Sequence, residues 1–387
     1  MRVLEPEVTE DATALRAVIR RFVEKELFSL DAALESAPGP EHEEALAAVR
    51  EKARQSGLWL MDISEEFGGQ GLGMEGMCVV WEELYRSPSV KPRGADVFGP
   101  NPGPILLATS GQQKERYLDP VLAGEKRSCF AQTEEAAGGD PRGMRTTAAR
   151  RPGGWLLRGG KRFITGAHRA DFFQVISKTV SETGEDLGFG CFLVDADLDG
   201  VQVGRSEQTL DGELVWEITF DDVTLAPDAI VGAPGEGFRL AQGWLVRGRL
   251  HQSAQALAKG GRGLEMGADY ITQRVTFGRP LSERQGVTFP MVDAWTNLSA
   301  ARGLLFRCAR AADAGEDVRL EAAAVKVLSL ESAQQALDWA IQVHGGLGLT
   351  ESLPLMRWFL DVRSKRITEG AVEVMRHYLG RELLKGA

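Results

Sequence analysis

Apolar residues recur every three or four positions through the first third of this chain, and that spacing predicts helices. In "TALRAVIRRFVEKELFSL", Leu15, Val18, Ile19, Phe22, Val23 and Leu27 share one helical face. "EEALAAVREKARQSGL" repeats the pattern and stops at Gly57, a residue suited to a helix C-terminus. "GMEGMCVVWEELYR" and "QQKERYLDPVLAGE" continue it, and "KPRGADVFGPNPGP" between them is too rich in Gly and Pro for regular structure. Near residue 127 the texture changes. "GGWLLRGGKRFITGA", "DFFQVISKTV", "GFGCFLVDAD", "GVQVGRS" and "LVWEITFDDVTL" are short β-branched and aromatic runs, punctuated by Gly, Asp and Ser. That punctuation predicts an antiparallel sandwich or barrel. From about residue 234 long helical patterns return and persist to the end.

Helices, then strands, then long helices do not make a doubly wound sheet. The expected architecture is α+β and multidomain, with an all-α segment over 1–126, a β domain over 127–233 and a four-helix bundle over 234–387. "GGRGLEMG" (Gly260 to Gly267) imitates a glycine-rich dinucleotide loop, but no strand precedes it. Close helix–helix approach explains those glycines better.

Composition narrows the classes. Hydrophobic content of 43% with 26% charged residues is that of an ordinary globular protein, and a net charge of −10 argues against a nucleic-acid partner. Cys78, Cys129, Cys191 and Cys308 are scattered, as are the five histidines, so neither a disulfide framework nor a metal site is expected and a cytoplasmic setting fits. The acidic start "MRVLEPEVTED" does not read as a signal peptide, and no apolar run reaches the roughly 18 residues of a membrane span.

Four motifs stand in a fixed order: "CFAQTEEAAGGDPRG", "GGKRFITGA", "QRVTFGRPLSERQ" and "QVHGGLGLTESLPLMRWFLDVRSKRITEG". At these residues, and at "SEEFGGQGLG" and "EELYRSPSV", the chain resembles the acyl-CoA dehydrogenase family over nearly its whole length. The resemblance implies a flavoprotein with FAD as cofactor, an acyl-CoA as substrate and an electron-transferring flavoprotein as acceptor. It also implies a homotetramer, or homodimer, with FAD shared across subunits. Phe130, Gln132, Thr133, Gly138 and Gly139 would lie along the flavin, Gly139 also near the substrate, and Phe163 and Thr165 against the ring and its reactive nitrogen. Arg274 would meet the diphosphate, with Thr276, Phe277 and Gln285 beyond it, and Gln342, Val343, Gly345 and Gly346 would bring backbone close to the cofactor. Arg249 and Gly370 would contact substrate, Ala371 and Glu373 the flavin side, and Arg381 matches a further family position. Gln132, Glu135, Gly139 and Ala371 depart from the residues usual in the family.

Glu369 matches the family's catalytic base. Read alone, Thr368 caps a helix and Glu369 complements its dipole from the first turn. Read with the resemblance, Glu369 removes the α-proton of a thioester, helped by hydrogen bonds to the carbonyl and by a dry site that raises its pKa. An alternative position for the base in some members falls on Gly248, which cannot serve. Two other readings stand beside dehydrogenation: a flavin-dependent acyl-CoA oxidase or related monooxygenase on the same fold, and a flavin-free scaffold. The segment "GADVFGPNPGPILL" is the candidate floor of the acyl pocket.

Overall fold

The computed structural model describes residues 4–31, 40–88 and 96–385. Gly94 and Ala95 of the candidate pocket floor, the preceding Lys91, Pro92 and Arg93, and Ser89 and Val90 of "EELYRSPSV" lie outside them. The helices are α1 Glu10–Glu26, α2 Phe28–Asp31, α3 Pro40–Gln55, α4 Met74–Leu84, α5 Gly103–Leu107, α6 Gly111–Gln113, α7 Asp119–Ala123, α8 Gly237–Gln273, α9 Gln285–Asp313, α10 Arg319–His344, α11 Leu355–Lys365 and α12 Val372–Leu383. The strands are β1 Ser128–Ala131, β2 Thr147–Arg151, β3 Gly154–Thr165, β4 Phe172–Val180, β5 Asp186–Asp195, β6 Val201–Gln208, β7 Leu214–Leu225, β8 Ile230–Val231, β9 Val275–Thr276 and β10 Arg279–Pro280. The chain forms two compact units: residues to Phe98 with those from Val246 onward, and Gly99–Leu245.

The first unit is helical. Thr9 caps α1 by accepting the Ala12 N–H, and Ile19, Val23 and Leu27 are buried as their spacing predicts. Val18 is not: it is exposed, because the buried stripe is narrower than the apolar pattern. Gly57 follows α3 with a φ of 73°, the left-handed stop expected of it. The glycines of the dinucleotide decoy lie inside α8, and Gly260, Gly263 and Gly267 face α10. A Cβ on Gly260 would come within 2.8 Å of Ala333 Cα, and one on Gly267 within 2.4 Å of the Trp339 ring. Their lack of a side chain lets the two helices meet.

The second unit is built on one eight-stranded sheet in the order β6-β7-β3-β2-β4-β5-β8, with β1 beside β4. The prediction of antiparallel pairing needs correction at β4. One edge of β4 carries β5 antiparallel; the other carries β1 and β2, both parallel, at Phe172–Val175 and Lys178–Val180. Residues 132–146 leave the sheet between those two short pairings. In β3 the register slips between Lys161 and Ile164, and Phe163 at this bulge takes a φ of 59°. Alternate residues such as Trp155, Leu157, Phe173, Val175, Phe192 and Val194 form the core.

Candidate active site

Glu369 does not sit in a helix. The N–H groups of Ile367 and Thr368 close a turn on Ser364 O, Val372 N–H bonds Arg366 O, and α12 begins only at Val372. Its N-cap, Ala371, offers no side-chain hydrogen bond, so the capping role read for Thr368 is overturned; the first-turn carboxylate is the exposed Glu373. Glu369 and Gly370 instead take left-handed φ values of 54° and 91°. For a non-glycine residue that conformation is uncommon and persists where surroundings enforce it.

Lys326 enforces it. This residue of α10 is fully buried, and its Nζ lies 2.6, 3.2 and 2.8 Å from the carbonyl oxygens of Thr368, Glu369 and Gly370. Thr368 Oγ1 accepts from Gln252 Nε2 at 3.2 Å. The Glu369 carboxylate lies against Gly248, where an added Cβ would fall 2.4 Å from Oε2. A side chain at 248 would therefore displace the carboxylate. Arg249 is buried, donates to Arg319 O at 3.3 Å and leaves Nε without a partner. Burial lowers its pKa, against the pull of Tyr378 and Glu369. Glu369 itself is exposed and makes no ion pair among the described residues. The dry surroundings expected for it are thus not supplied by the chain's own side chains.

The same helices carry a buried polar cluster. Asp361 pairs with Lys259 and, at 3.2 Å, with Lys365, and accepts from Gln255 Nε2 at 3.2 Å. Burial works to raise the Asp361 pKa, but the two ammonium groups hold it below the ordinary range. Nearby, Tyr85 OH and His251 Nε2 lie 3.0 Å apart, and burial pushes the His251 pKa down to about 3. Sequence reasoning missed Lys326 and this cluster. A signal existed: "AAAVKVLSL" and "AQALAKGG" each set one lysine within an apolar helical run.

In the sheet unit, Phe130, Gln132, Thr133, Gly138 and Gly139 belong to β1 and the following loop, and Phe163 and Thr165 to β3. The pieces are brought together by Glu134, buried, whose carboxylate accepts from the N–H groups of Arg145 (2.6 Å) and Thr146 (3.1 Å) and from Lys161 Nζ (2.7 Å). Lys161 also donates to Gln132 O, and Arg162 N–H to Thr133 O. Burial opposes ionisation of Glu134, yet the bonds from Lys161, Thr146 and Arg145 keep its pKa below normal; burial pushes Lys161 down to about 8. Phe163 projects with 48% of its surface exposed.

The remaining candidates lie far from Glu369. Arg274 follows the last residue of α8, about 25 residues or ~38 Å along that helix from Gly248. Here β9 and β10 form a hairpin whose turn residues, Phe277 and Gly278, both have positive φ, and Phe277 is 98% exposed. Arg284 braces it through Thr276, while Arg274 is exposed and makes no ion pair among the described residues. Gln285 opens α9, Gln342 to His344 end α10 and Gly345 and Gly346 follow it, and here the His344 and Tyr270 ring centroids lie 4.4 Å apart at a tilt and Trp339 Nε1 donates to Val287 O. Arg274, Phe277, Gln285 and Gln342–Gly346 therefore share one end of the bundle. Glu369, Gly370, Arg249 and Ala371 share the other part of α8's length.

Family models describe the same chain. The acyl-CoA dehydrogenase N-terminal, middle and C-terminal domains match residues 9–125, 129–223 and 235–384. A 3-(aryl)acrylate reductase of Clostridium sporogenes is 32% identical over 97% of this chain and 99% of its own length. The human mitochondrial short-chain specific acyl-CoA dehydrogenase is 33% identical over 98% of this chain and 91% of its own. Among solved structures, butyryl-CoA dehydrogenase from Megasphaera elsdenii superposes with a TM-score of 0.83 at 27% identity, covering 98% of this chain and all of that one.

Proposed function

Because the chain belongs to the acyl-CoA dehydrogenase family, we propose that Glu369 is the base that removes the α-proton of an acyl-CoA thioester. The reaction is flavin-dependent formation of a trans α,β double bond, and the cofactor is FAD. FAD, when bound, supplies the acceptor for the hydride that leaves the β-carbon. The observation that carries the assignment is the placement of Glu369: an exposed, unpaired carboxylate on a turn held from behind by Lys326, with Gly248 leaving it room. Its backbone N–H donates to no described acceptor and is available to the thioester carbonyl as negative charge develops there. A thioester lying over the turn would itself exclude water from the carboxylate.

The residues present fit a flavin. In the sheet unit, Phe163 offers an aromatic face, and the loop 130–139 offers small residues and Thr133 for a polar ring edge. In the helical unit, the unpaired Arg274 guanidinium suits a diphosphate, and Phe277 gives an exposed apolar surface beside it. The length of α8 between Gly248 and Arg274 supports sharing of FAD between subunits, since a protomer's own Arg274 is too far from its Glu369 to serve one cofactor. Exposed Phe277, Phe289, Val292, Leu347 and Leu349 on that part of the bundle support assembly into a homodimer or homotetramer. An electron-transferring flavoprotein takes the electrons, and the four free thiols support a reducing, cytoplasmic setting. The named relatives favour dehydrogenation, or its reverse, over the oxidase and monooxygenase readings.

Anaerobic mixing with a panel of acyl-CoAs, followed by bleaching of the flavin absorbance, tests the reading. The Glu369→Gln variant keeps FAD and fold, and its flavin reduction falls at least as far as the roughly 10²–10⁴-fold typical of general-base loss. Near-wild-type bleaching by that variant removes Glu369 from the role.

A further inference from the structure

A lysine has three N–H donors, and its buried ammonium is tolerated where acceptors replace water. Lys326 finds those acceptors on the backbone of the turn that bears Glu369, as three successive carbonyls. An extended chain would alternate their directions; the positive φ at Glu369 and Gly370 lets them converge. Each carbonyl belongs to a planar trans peptide, whose N–H points the opposite way. Turning the carbonyls of Thr368, Glu369 and Gly370 towards Lys326 therefore turns the N–H groups of Glu369, Gly370 and Ala371 away from it. None of these three donates to an acceptor among the described residues. Beside the Glu369 carboxylate the turn thus presents a row of free amides, an arrangement that stabilises negative oxygen.

We propose that Lys326 is a positioning residue for the reaction: from the buried side of the turn it fixes and polarises the amide face that receives the thioester oxygen as that oxygen becomes enolate-like. The proposal rests on the reading of Glu369 as base. A hydrogen bond to a carbonyl oxygen draws electron density from the amide nitrogen and strengthens the N–H of the same peptide as a donor. The peptide between Thr368 and Glu369 receives most of this effect, since its carbonyl makes the shortest contact, 2.6 Å, and its N–H is that of Glu369. Lys326 touches no substrate and acts entirely through the turn.

A structural plug and a polarising clamp differ in what their loss weakens. Losing a plug weakens every ligand of the site alike; losing the clamp weakens ligands according to the charge on their oxygen. The test uses FAD-loaded Lys326→Met protein and two ligands of equal chain length: a 3-oxoacyl-CoA, which binds as its enolate, and an S-alkyl-CoA thioether, which has no carbonyl. Enolate affinity, read from the enolate absorbance, falls about tenfold or more, below the 10²–10³ seen when an oxyanion donor is removed outright. Thioether affinity stays within about threefold of wild type, as expected for a ligand with no developing charge. Equal loss for both ligands, or loss for neither, overturns the proposal. Should Lys326→Met fail to fold, Gly370→Ala decides the question. It strains a φ of 91° while its Cβ meets only the flexible end of Met375, and the same selective loss is expected. Unchanged enolate affinity in that variant overturns the proposal too. Exchange of the substrate α-proton into deuterated water separates the two readings. Exchange that survives Glu369→Gln removes the base assignment, while the ligand ratio in Lys326→Met still decides the amide assignment.

Discussion

Of the Thr-Glu pairs in this chain, two have a buried lysine bonded to them, one in each unit: Thr133–Glu134 beside the sheet and Thr368–Glu369 among the helices. In the first, Lys161 takes the side chain: its ammonium, with two backbone N–H groups, binds the Glu134 carboxylate and sinks it in the loop. In the second, Lys326 takes the main chain and leaves the Glu369 carboxylate exposed. The residue type is the same, and the lysine is buried in both. What differs is which end of the glutamate the lysine holds. A carboxylate that is held is a strut; a carboxylate whose backbone is held stays exposed, as the proposed base must be.

Exchanging glutamine for each glutamate gives the largest contrast. Glu134→Gln leaves Lys161 buried without its counter-charge, an error that costs about 3–5 kcal/mol and roughly 10 °C of melting temperature. FAD content falls with it, because Lys161, which pairs with Glu134, also holds the Gln132 carbonyl, but reduction rate per bound flavin stays within a few-fold of wild type. Glu369→Gln does the reverse, with an unchanged melting curve and a flavin that substrate no longer bleaches. Differential scanning calorimetry and single-turnover bleaching read both. A stable Glu134→Gln protein with dead flavin would invert the comparison.

How much of this was legible in the sequence depends on what kind of contact was needed. The three textures of the chain, the helical glycines of "GGRGLEMG" and the family all follow from local pattern or from motifs that run in order along the chain. The parallel pairing of β1 and β2 on one edge of β4 was not legible, because short strands in a loop-rich stretch carry no mark of direction. Thr-Glu before an apolar pattern imitates a helix cap, whereas Glu369 lies on a turn ahead of α12. The left-handed turn depends on Lys326, a residue 43 positions earlier in the sequence, and no local signal predicts a lysine that bonds main chain. The strain at Phe163 and Phe277 was hidden for a related reason. Aromatic residues are poor left-handed formers, so their positive φ comes from the bulge and the hairpin around them.

The same distinction between held and presented charge sorts the arginines. Arg302 is buried and binds Glu82 through two contacts, at 2.8 and 2.9 Å, as part of the helical packing. Arg274 is exposed and unpaired. Arg274→Ala should therefore leave the unfolding free energy of the FAD-free protein within about 0.5 kcal/mol of wild type. FAD affinity should fall by about 2–5 kcal/mol, as for a charge-assisted partner lost from a bound anion. Because FAD stabilises only the state that binds it, the melting temperature of the loaded variant drops and recovers with excess cofactor. Equal destabilisation of the free and loaded protein would show Arg274 to be a structural residue like Arg302.

Acid should reach the two units in sequence, and this is the smallest effect. His251 lies three residues beyond Gly248 on α8, faces Tyr85, Trp81 and the Lys259–Asp361–Lys365 cluster, and is held neutral by burial, with a pKa of about 3. Its ordinary value is 6.5, so between these limits the unfolded chain binds a proton that the folded chain refuses. Stability of the helical unit therefore falls as pH drops below 6.5, by about 2 kcal/mol at pH 5, where the unfolded imidazole is mostly charged. Glu134 behaves differently. Its folded pKa lies below the ordinary 4.5, so the stability it gives the sheet unit is fully present above 4.5 and is lost only as pH falls further. Urea unfolding at pH 7, 5 and 4, followed by site-resolved hydrogen exchange, should show α8 and its neighbours weakening before the strands around Glu134. His251→Gln keeps an acceptor for the Tyr85 hydroxyl but cannot titrate, so its stability should be nearly level between pH 6.5 and 5. A variant that keeps the wild-type slope over that interval would place the acid-sensitive group elsewhere and leave the two units without their expected order.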